Sequence, residues 1–116
     1  MRGIGHSDLV ALTRLLLGTS KTEWPALTQR VLRHAHAADS YRKRLGQIHP
    51  SWGDGSVASF VNAAFCLPPE PCRLTEQYMD AKCAALYGIL KWRAAQKRMS
   101  ATTRRIFNRE SICYPE

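Results

Sequence analysis

The chain has no apolar run approaching the roughly 20 residues that cross a bilayer. Its most apolar window, Leu9–Leu17, is far too short. That window carries Arg14 and is followed by no small-residue cleavage site, so it does not read as a signal peptide, and a cytoplasmic location is expected. Alternating apolar and polar segments are lacking, as are internal repeats, which removes the signatures of a sheet or a solenoid. No nucleophile elbow, P-loop, dinucleotide fingerprint or metalloprotease motif occurs. Acidic residues are scarce: nine stand against 17 lysines and arginines, for a net charge of +8. Such a balance points to nucleic acid, an acidic protein or an anionic lipid as partner, and says nothing about fold.

What is present is helical periodicity. Within 22–45, Trp24, Val31, Ala38 and Leu45 recur at seven-residue intervals, and Leu27, His34 and Tyr41 form a second series offset by three. This a/d pattern predicts one continuous helix with a narrow buried stripe, which could also seal a homodimer. Ser20 and Glu23 have capping-box spacing, Pro25 suits a first turn, and Gly46 follows the last periodic residue as a terminator. Ahead of it, Ser7 and Asp8 open a first helix with Leu9, Leu12 and Leu16 on one side and Gly18 at its end. Ser56 caps a short third helix, Val57 to about Phe65, with Phe60, Val61 and Ala64 on one side. Pro68, Pro69 and Pro71 then impose an extended connector.

Thr75 caps a fourth helix, about 76–99. Its apolar arc of Tyr78, Met79, Cys83, Leu86, Ile89, Leu90 and Trp92 is wide enough for several neighbours, with the stems of Lys82 and Arg93 covering apolar surface within it. Beyond Met99 the pattern fades into a basic tail with at most one loose turn near 103–107. The expected architecture is an all-α, single-domain bundle of about four helices over 7–99, followed by a basic tail over 100–116.

Chemistry-bearing groups are thinly spread. His34 and His36 lie about 200° apart on their helix and cannot share an ion; His34 falls on the buried stripe and His36 on the solvent side. Cys66 and Cys72 have five residues between them across the proline connector, and Cys83 and Cys113 complete no zinc pattern. Free, inert thiols are expected. No catalytic, metal-ligating or cofactor-binding residue is assigned, and no cofactor is called for. Ser56 and Asp54 read better as cap and turn residues than as partners of a His49 base.

The basic clusters are the strongest pointer to function. Arg42, Lys43 and Arg44 close the second helix. Between Lys91 and Arg109 the chain holds seven cations (Lys91, Arg93, Lys97, Arg98, Arg104, Arg105 and Arg109) and no acid. Such a block neutralises phosphates with salt-sensitive, sequence-independent affinity. Helix dipoles favour cations at C-termini, but the excess continues past the end of the expected helix. A helix-turn-helix does not fit, since about ten residues separate the second and third helices and VASFVNAAF offers only Ser59 and Asn62 for base reading.

Between the helices, Gln47–Ser56 (QIHPSWGDGS) reads as a structured loop anchored by Ile48 and Trp52, with His49, Pro50, Trp52, Gly53, Asp54, Gly55 and Ser56 as its distinctive residues. The series Ala38-Asp39-Ser40-Tyr41-Arg42-Lys43-Arg44, Gly46, His49-Pro50, Trp52-Gly53 and Gly55-Ser56 resembles a family of small uncharacterised alphaproteobacterial proteins. That family has an ADxYRxRxGxxHPxWGxGS centre and a later LxxW helix, here Leu86, Leu90 and Trp92. The resemblance covers roughly 8–95 and implies no activity. The expectation is therefore a non-enzymatic cytoplasmic interaction protein whose basic helical surface engages an acidic macromolecular partner. One alternative is a nucleic-acid-associated regulator gripping the phosphate backbone through the last helix and tail. Another is a small hydrolase or metal-dependent enzyme centred on His49 and Asp54.

Overall fold

In the computed structural model the backbone is described from Gly3 to Cys113 and side chains from Gly3 to Met99. Four α-helices and one short 3-10 turn follow in the order α1 (His6–Leu17), the turn Lys21–Glu23, α2 (Trp24–Leu45), α3 (Val57–Ala64) and α4 (Glu76–Cys113). Among the described residues there is no strand, only an isolated bridge between His49 and Gly53. The all-α expectation holds.

The first helix begins earlier than Ser7. Gly5 takes the N-cap position, and Asp8 reaches back so that its Oδ2 accepts the Gly5 N–H at 2.8 Å. Its Oδ1 accepts the Ala58 N–H at 2.9 Å, at the start of α3. One buried carboxylate thus satisfies donors at two helix N-termini, where negative charge is favoured. At the other end the indole Nε1 of Trp24 donates to Leu16 O at 2.7 Å and Thr19 O at 3.1 Å, closing the last carbonyls of α1. Gly18 ends α1 without left-handed geometry, and Pro68 packs beside it.

The Ser20/Glu23 capping box does not form. Ser20 Oγ pairs with Thr22 Oγ1, and a 3-10 turn leads into α2 instead, with Pro25 in its first turn. Gly46 terminates α2 at φ 68°, as its position predicts. Along α2, Trp24, Val31 and Ala38 are buried, Leu27, His34 and Tyr41 half-buried. Leu45 is 56% exposed, because the core ends before the helix does. Thr28, Leu32, Ala35 and Asp39 widen the buried face beyond the predicted stripe. That face is covered within the chain, by α1, α3 and α4.

Ser56 caps α3 through its Oγ, which accepts the Ser59 N–H at 3.1 Å. Val57, Phe60 and Val61 are buried while Ala64 is exposed. The proline connector is pinned by Arg14, whose Nε donates to Pro68 O at 2.7 Å, and by Tyr78, whose hydroxyl donates to Glu70 at 3.0 Å.

Thr75 caps α4 as expected, accepting from Tyr78 N at 3.1 Å. The buried face of α4, however, is Tyr78, Ala81, Ala85, Gly88 and Ile89. Met79, Cys83, Leu86 and Leu90, expected within the packed arc, face water. Small residues let the helices close up: a Cβ on Gly88 would run into the Thr28 methyl of α2. The helix does not fade at Met99; its backbone continues to Cys113 through the stretch read as a tail, which contains no glycine or proline before that point. At about 1.5 Å per residue this makes α4 the long axis of a molecule 63 × 30 × 22 Å.

Candidate functional site

The site is set by the direction of two helices. Thr28 meets Gly88, and eight residues further along α2 the His36 ring lies edge-on to Trp92, 5.8 Å between centroids. Helices α2 and α4 therefore run in the same sense. Their cationic C-terminal stretches, far apart in sequence, reach the same end of the molecule. Lys91, Arg93, Lys97 and Arg98 are exposed on α4, and Arg42, Lys43 and Arg44 on α2. Arg104, Arg105 and Arg109 continue on the α4 backbone; their side chains lie outside the described residues.

Not every cation there is uncommitted. Arg42 Nη1 reaches Asp54 O at 3.5 Å, and Lys43 Nζ lies 3.0 Å from the buried Asp39 carboxylate. Burial pushes the Asp39 carboxyl up, but the positive groups around it, Lys43 foremost, outweigh that and hold it below the ordinary carboxylate value.

The loop beside these cations is rigid for identifiable reasons. His49 and Gly53 exchange two backbone hydrogen bonds of 3.2 Å. Inside that ring, His49 Nδ1 accepts from Ser51 N and Trp52 N, each at 3.0 Å. The imidazole stacks on Trp52 (4.4 Å, 8°), Tyr41 stands edge-on to it at 4.8 Å, and Trp52 leads on to His34 at 4.8 Å. His34 in turn contacts Phe60 at 5.0 Å, so a continuous row of rings ties α2, the loop and α3 together. Gly53 has φ 81° and Gly55 φ 101°; a Cβ on Gly55 would sit 2.8 Å from Asp39 Cα. Asp54 Oδ1 accepts from Ser56 N and Ser56 Oγ, which aims the α3 cap. Pro50 and Ile48 are exposed, so of the two apolar anchors expected only Trp52 serves as one.

His36 is half-buried against Trp92 rather than on a solvent face, and burial lowers its pKa before the surrounding charges act. His34 is lowered too, by burial first and then by Arg30 and Arg33, and its buried Nδ1 finds no hydrogen-bond partner. No group of three His, Cys, Asp or Glu side chains among the described residues converges as metal ligands would. Cys66, Cys72 and Cys83 are free and exposed; Cys113 lies outside the described side chains. Lys82 holds its Nζ over the Tyr78 ring, 5.6 Å from the centroid.

Two features escape a residue-by-residue reading of the sequence. Trp92, His36, Arg93, Gln96 and Lys97 enclose an open cleft of about 410 Å³ at the root of the basic end. On the opposite flank of α2, Arg30 and Arg33 stand with Leu27 and Phe65 around a groove of about 500 Å³. Neither has a local motif; only the pairing of helices assembles them.

No helix among the described residues is long and apolar enough to cross a membrane. No curated protein and no solved structure matches the chain. Residues 2–91, from the start of the chain through the Trp52 loop to the packed part of α4, match one family model, and on that match the chain belongs to the family described as a domain of unknown function, DUF7742.

Proposed function

We propose that this chain is a non-enzymatic cytoplasmic binding module whose basic end engages a polyanionic macromolecule. The observation that carries the reading is the shared direction of α2 and α4, which pools two cation-rich stretches at one end. Among the described residues, the acids nearest that end are already engaged, Asp39 by Lys43 and Asp54 by the Ser56 cap of α3. Pooled cations raise affinity for a polyanion far more than the same charges scattered, because each phosphate or carboxylate neutralised releases counterions. Support for a non-enzymatic role comes from the loop: His49 Nδ1, Asp54 and Ser56 each already serve its own backbone. The signature block from Ala38 to Ser56, read as belonging to small alphaproteobacterial proteins, then acts as scaffold for the basic end.

A second reading, nucleic acid as the polyanion, is favoured by the cleft beside Trp92 and His36. Aromatic surfaces next to Arg93 and Lys97 suit an unstacked base with its phosphate on the cations. Titrating labelled single-stranded DNA, duplex DNA and polyglutamate against the full chain at graded salt tests both. The expected result is binding at low salt, with log K falling linearly against log salt by about 0.7–0.9 per phosphate engaged. The triple charge reversal of Lys91, Arg93 and Lys97 should flatten that slope. No binding to any of the three probes at low salt would remove the proposal, and preference for polyglutamate over DNA would remove the second reading.

A further inference from the structure

Helix α4 carries two apolar faces, and only one is used by the fold. Tyr78, Ala81, Ala85 and Ile89 are buried against the rest of the bundle. Met79 (43% exposed), Cys83, Leu86 (44%) and Leu90 (63%) lie on the other side, open to water. Their spacing is four, three, four, the a/d step of a helix-to-helix seam sustained over nearly two heptads. Isolated exposed leucines are ordinary; a regular stripe of four on one helix marks a contact surface. Leu9 and Ile4 border the same strip as one wall of an open groove beside Leu86, Leu90 and Arg93.

What covers the stripe follows from its charge layout. Scarce acids occupy the N-terminal side of the strip, at Glu76 and Asp80, and cations occupy the C-terminal side, at Lys91 and Arg93. Two such helices laid antiparallel around a two-fold axis between positions 84 and 85 set the acidic end of each strip against the basic end of the other. Met79 meets the partner's Leu90, and Cys83 meets the partner's Leu86. In the same register Glu76 faces the partner's Arg93, while Asp80, already paired with Lys21 of its own chain at 2.6 Å, lies near the partner's Lys91. A parallel pairing would instead set acid on acid and cation on cation. Two chains of +8 repel at long range, so a contact between them needs local complementarity of this kind.

We propose that the exposed α4 face docks a second copy of this chain, forming an antiparallel α4–α4 homodimer centred between Cys83 and Leu86. The dimer leaves Lys97 and everything after it outside the seam, so its two basic ends point in opposite directions along one rod. It goes beyond the polyanion-binding reading and takes Lys91 and Arg93 into the seam, which in the dimer leaves a polyanion to Lys97, the cations after it, and Arg42, Lys43 and Arg44 of α2.

Sedimentation equilibrium of the full chain, from about 1 to about 200 µM, reads the association directly, since a dimer doubles the 13.1 kDa mass. A concentration-dependent shift to twice the monomer mass is expected. Leu90→Glu should weaken it by about a hundredfold or more, because the seam would bury a charge on each copy. Glu76→Arg alone and Arg93→Glu alone should each weaken it by about tenfold, and the double exchange should recover most of the loss. All three positions are exposed, so circular dichroism of the variants should stay that of the parent. A monomer throughout the range overturns the proposal. So does a dimer that ignores Leu90→Glu, or a double exchange no better than the singles. Polyanion binding by a strictly monomeric chain would leave the proposed function intact while removing this one.

Discussion

Helices α2 and α4 lie side by side and are built on opposite plans. In α2 the bulky residues at seven-residue spacing, Trp24 and Val31, are the buried ones. In α4 Met79, Leu86 and Leu90 face water, and the buried face interleaves the small residues Ala81, Ala85 and Gly88 with Tyr78 and Ile89. The contrast has a volumetric cause. Interiors pack to near-crystalline density, so where one helix supplies large side chains its close neighbour supplies small ones. Apolar size therefore marks most of the inside of α2 but is divided between the two faces of α4. The two also end differently: α2 is finished by Gly46 and covered by the aromatic loop, whereas α4 runs on beyond the bundle to Cys113.

The largest test of that contrast is a pair of leucine truncations. Leu32 on α2 is completely buried, and Leu32→Ala should cost about 2–5 kcal/mol of unfolding free energy through lost burial and an unfilled cavity. Leu90→Ala on α4 should stay within about 0.5 kcal/mol for the monomer, measured by urea unfolding at low concentration. Equal costs at the two positions would mean that the outer face of α4 is packed after all.

How the loop finishes α2 is tested next. With φ 101° and Asp39 backbone 2.8 Å from any added Cβ, Gly55→Ala should cost about 2–3 kcal/mol, by local strain and displacement of α2 from the loop. Gly46→Ala is the control. It has φ 68° but open space around it, so only the conformational part, about 1 kcal/mol, should be lost. Urea midpoints for the two variants read the difference, and a Gly46→Ala loss equal to that of Gly55→Ala would deny the close approach.

These cases show what was legible in the sequence and what was not. Helix number, the α2 heptad, the Gly46 stop and the Ser56 and Thr75 caps depend on neighbours a few residues away, and all were readable. The start of α1 was misread because Ser7 is a better intrinsic cap than Gly5; the winner was fixed by Asp8, whose second oxygen serves Ala58 fifty residues on. The buried side of α4 was misread because Gly88 and the alanines carry little hydropathy, and their role exists only opposite Thr28. The basic clusters were visible singly. Their meeting at one end depends on α2 and α4 running in the same sense, which no local pattern encodes.

A smaller effect probes the α2–α4 contact itself. Gly88→Val places its Cβ against the Thr28 methyl and adds two methyl groups beyond it, so overpacking should cost about 1–3 kcal/mol. The better helix propensity of valine returns a few tenths of that. Gly88→Val with Thr28→Gly should recover most of the loss, since the second change clears the space, and the urea midpoint of the pair against each single reads the coupling. Additive losses would place the contact elsewhere.

The smallest expected effect is a pH dependence centred on α2, which carries both histidines whose pKa the fold lowers, His34 and His36. His34 is lowered below its ordinary value of 6.5, by burial between Trp52 and Phe60 and then by Arg30 and Arg33; His36 is lowered, by burial foremost. The fold therefore prefers the neutral rings. As pH falls through 6.5 the unfolded chain takes protons the folded chain refuses, so stability declines from there down to the folded pKa values and levels off below them. Asp39 has the same sign in a lower window, since its stabilising contribution is lost only as pH falls below about 3.8, its ordinary value. Urea midpoints at pH 7.5 and pH 5 should differ in the parent and differ less in His34→Phe, which keeps a ring between Trp52 and Phe60 but cannot titrate. Hydrogen exchange over the same interval should loosen the amides of Gln47–Ser56 before those of α4. An unchanged pH difference in His34→Phe, or loosening that begins in α4, would show that the row of rings is not what couples the loop to α2.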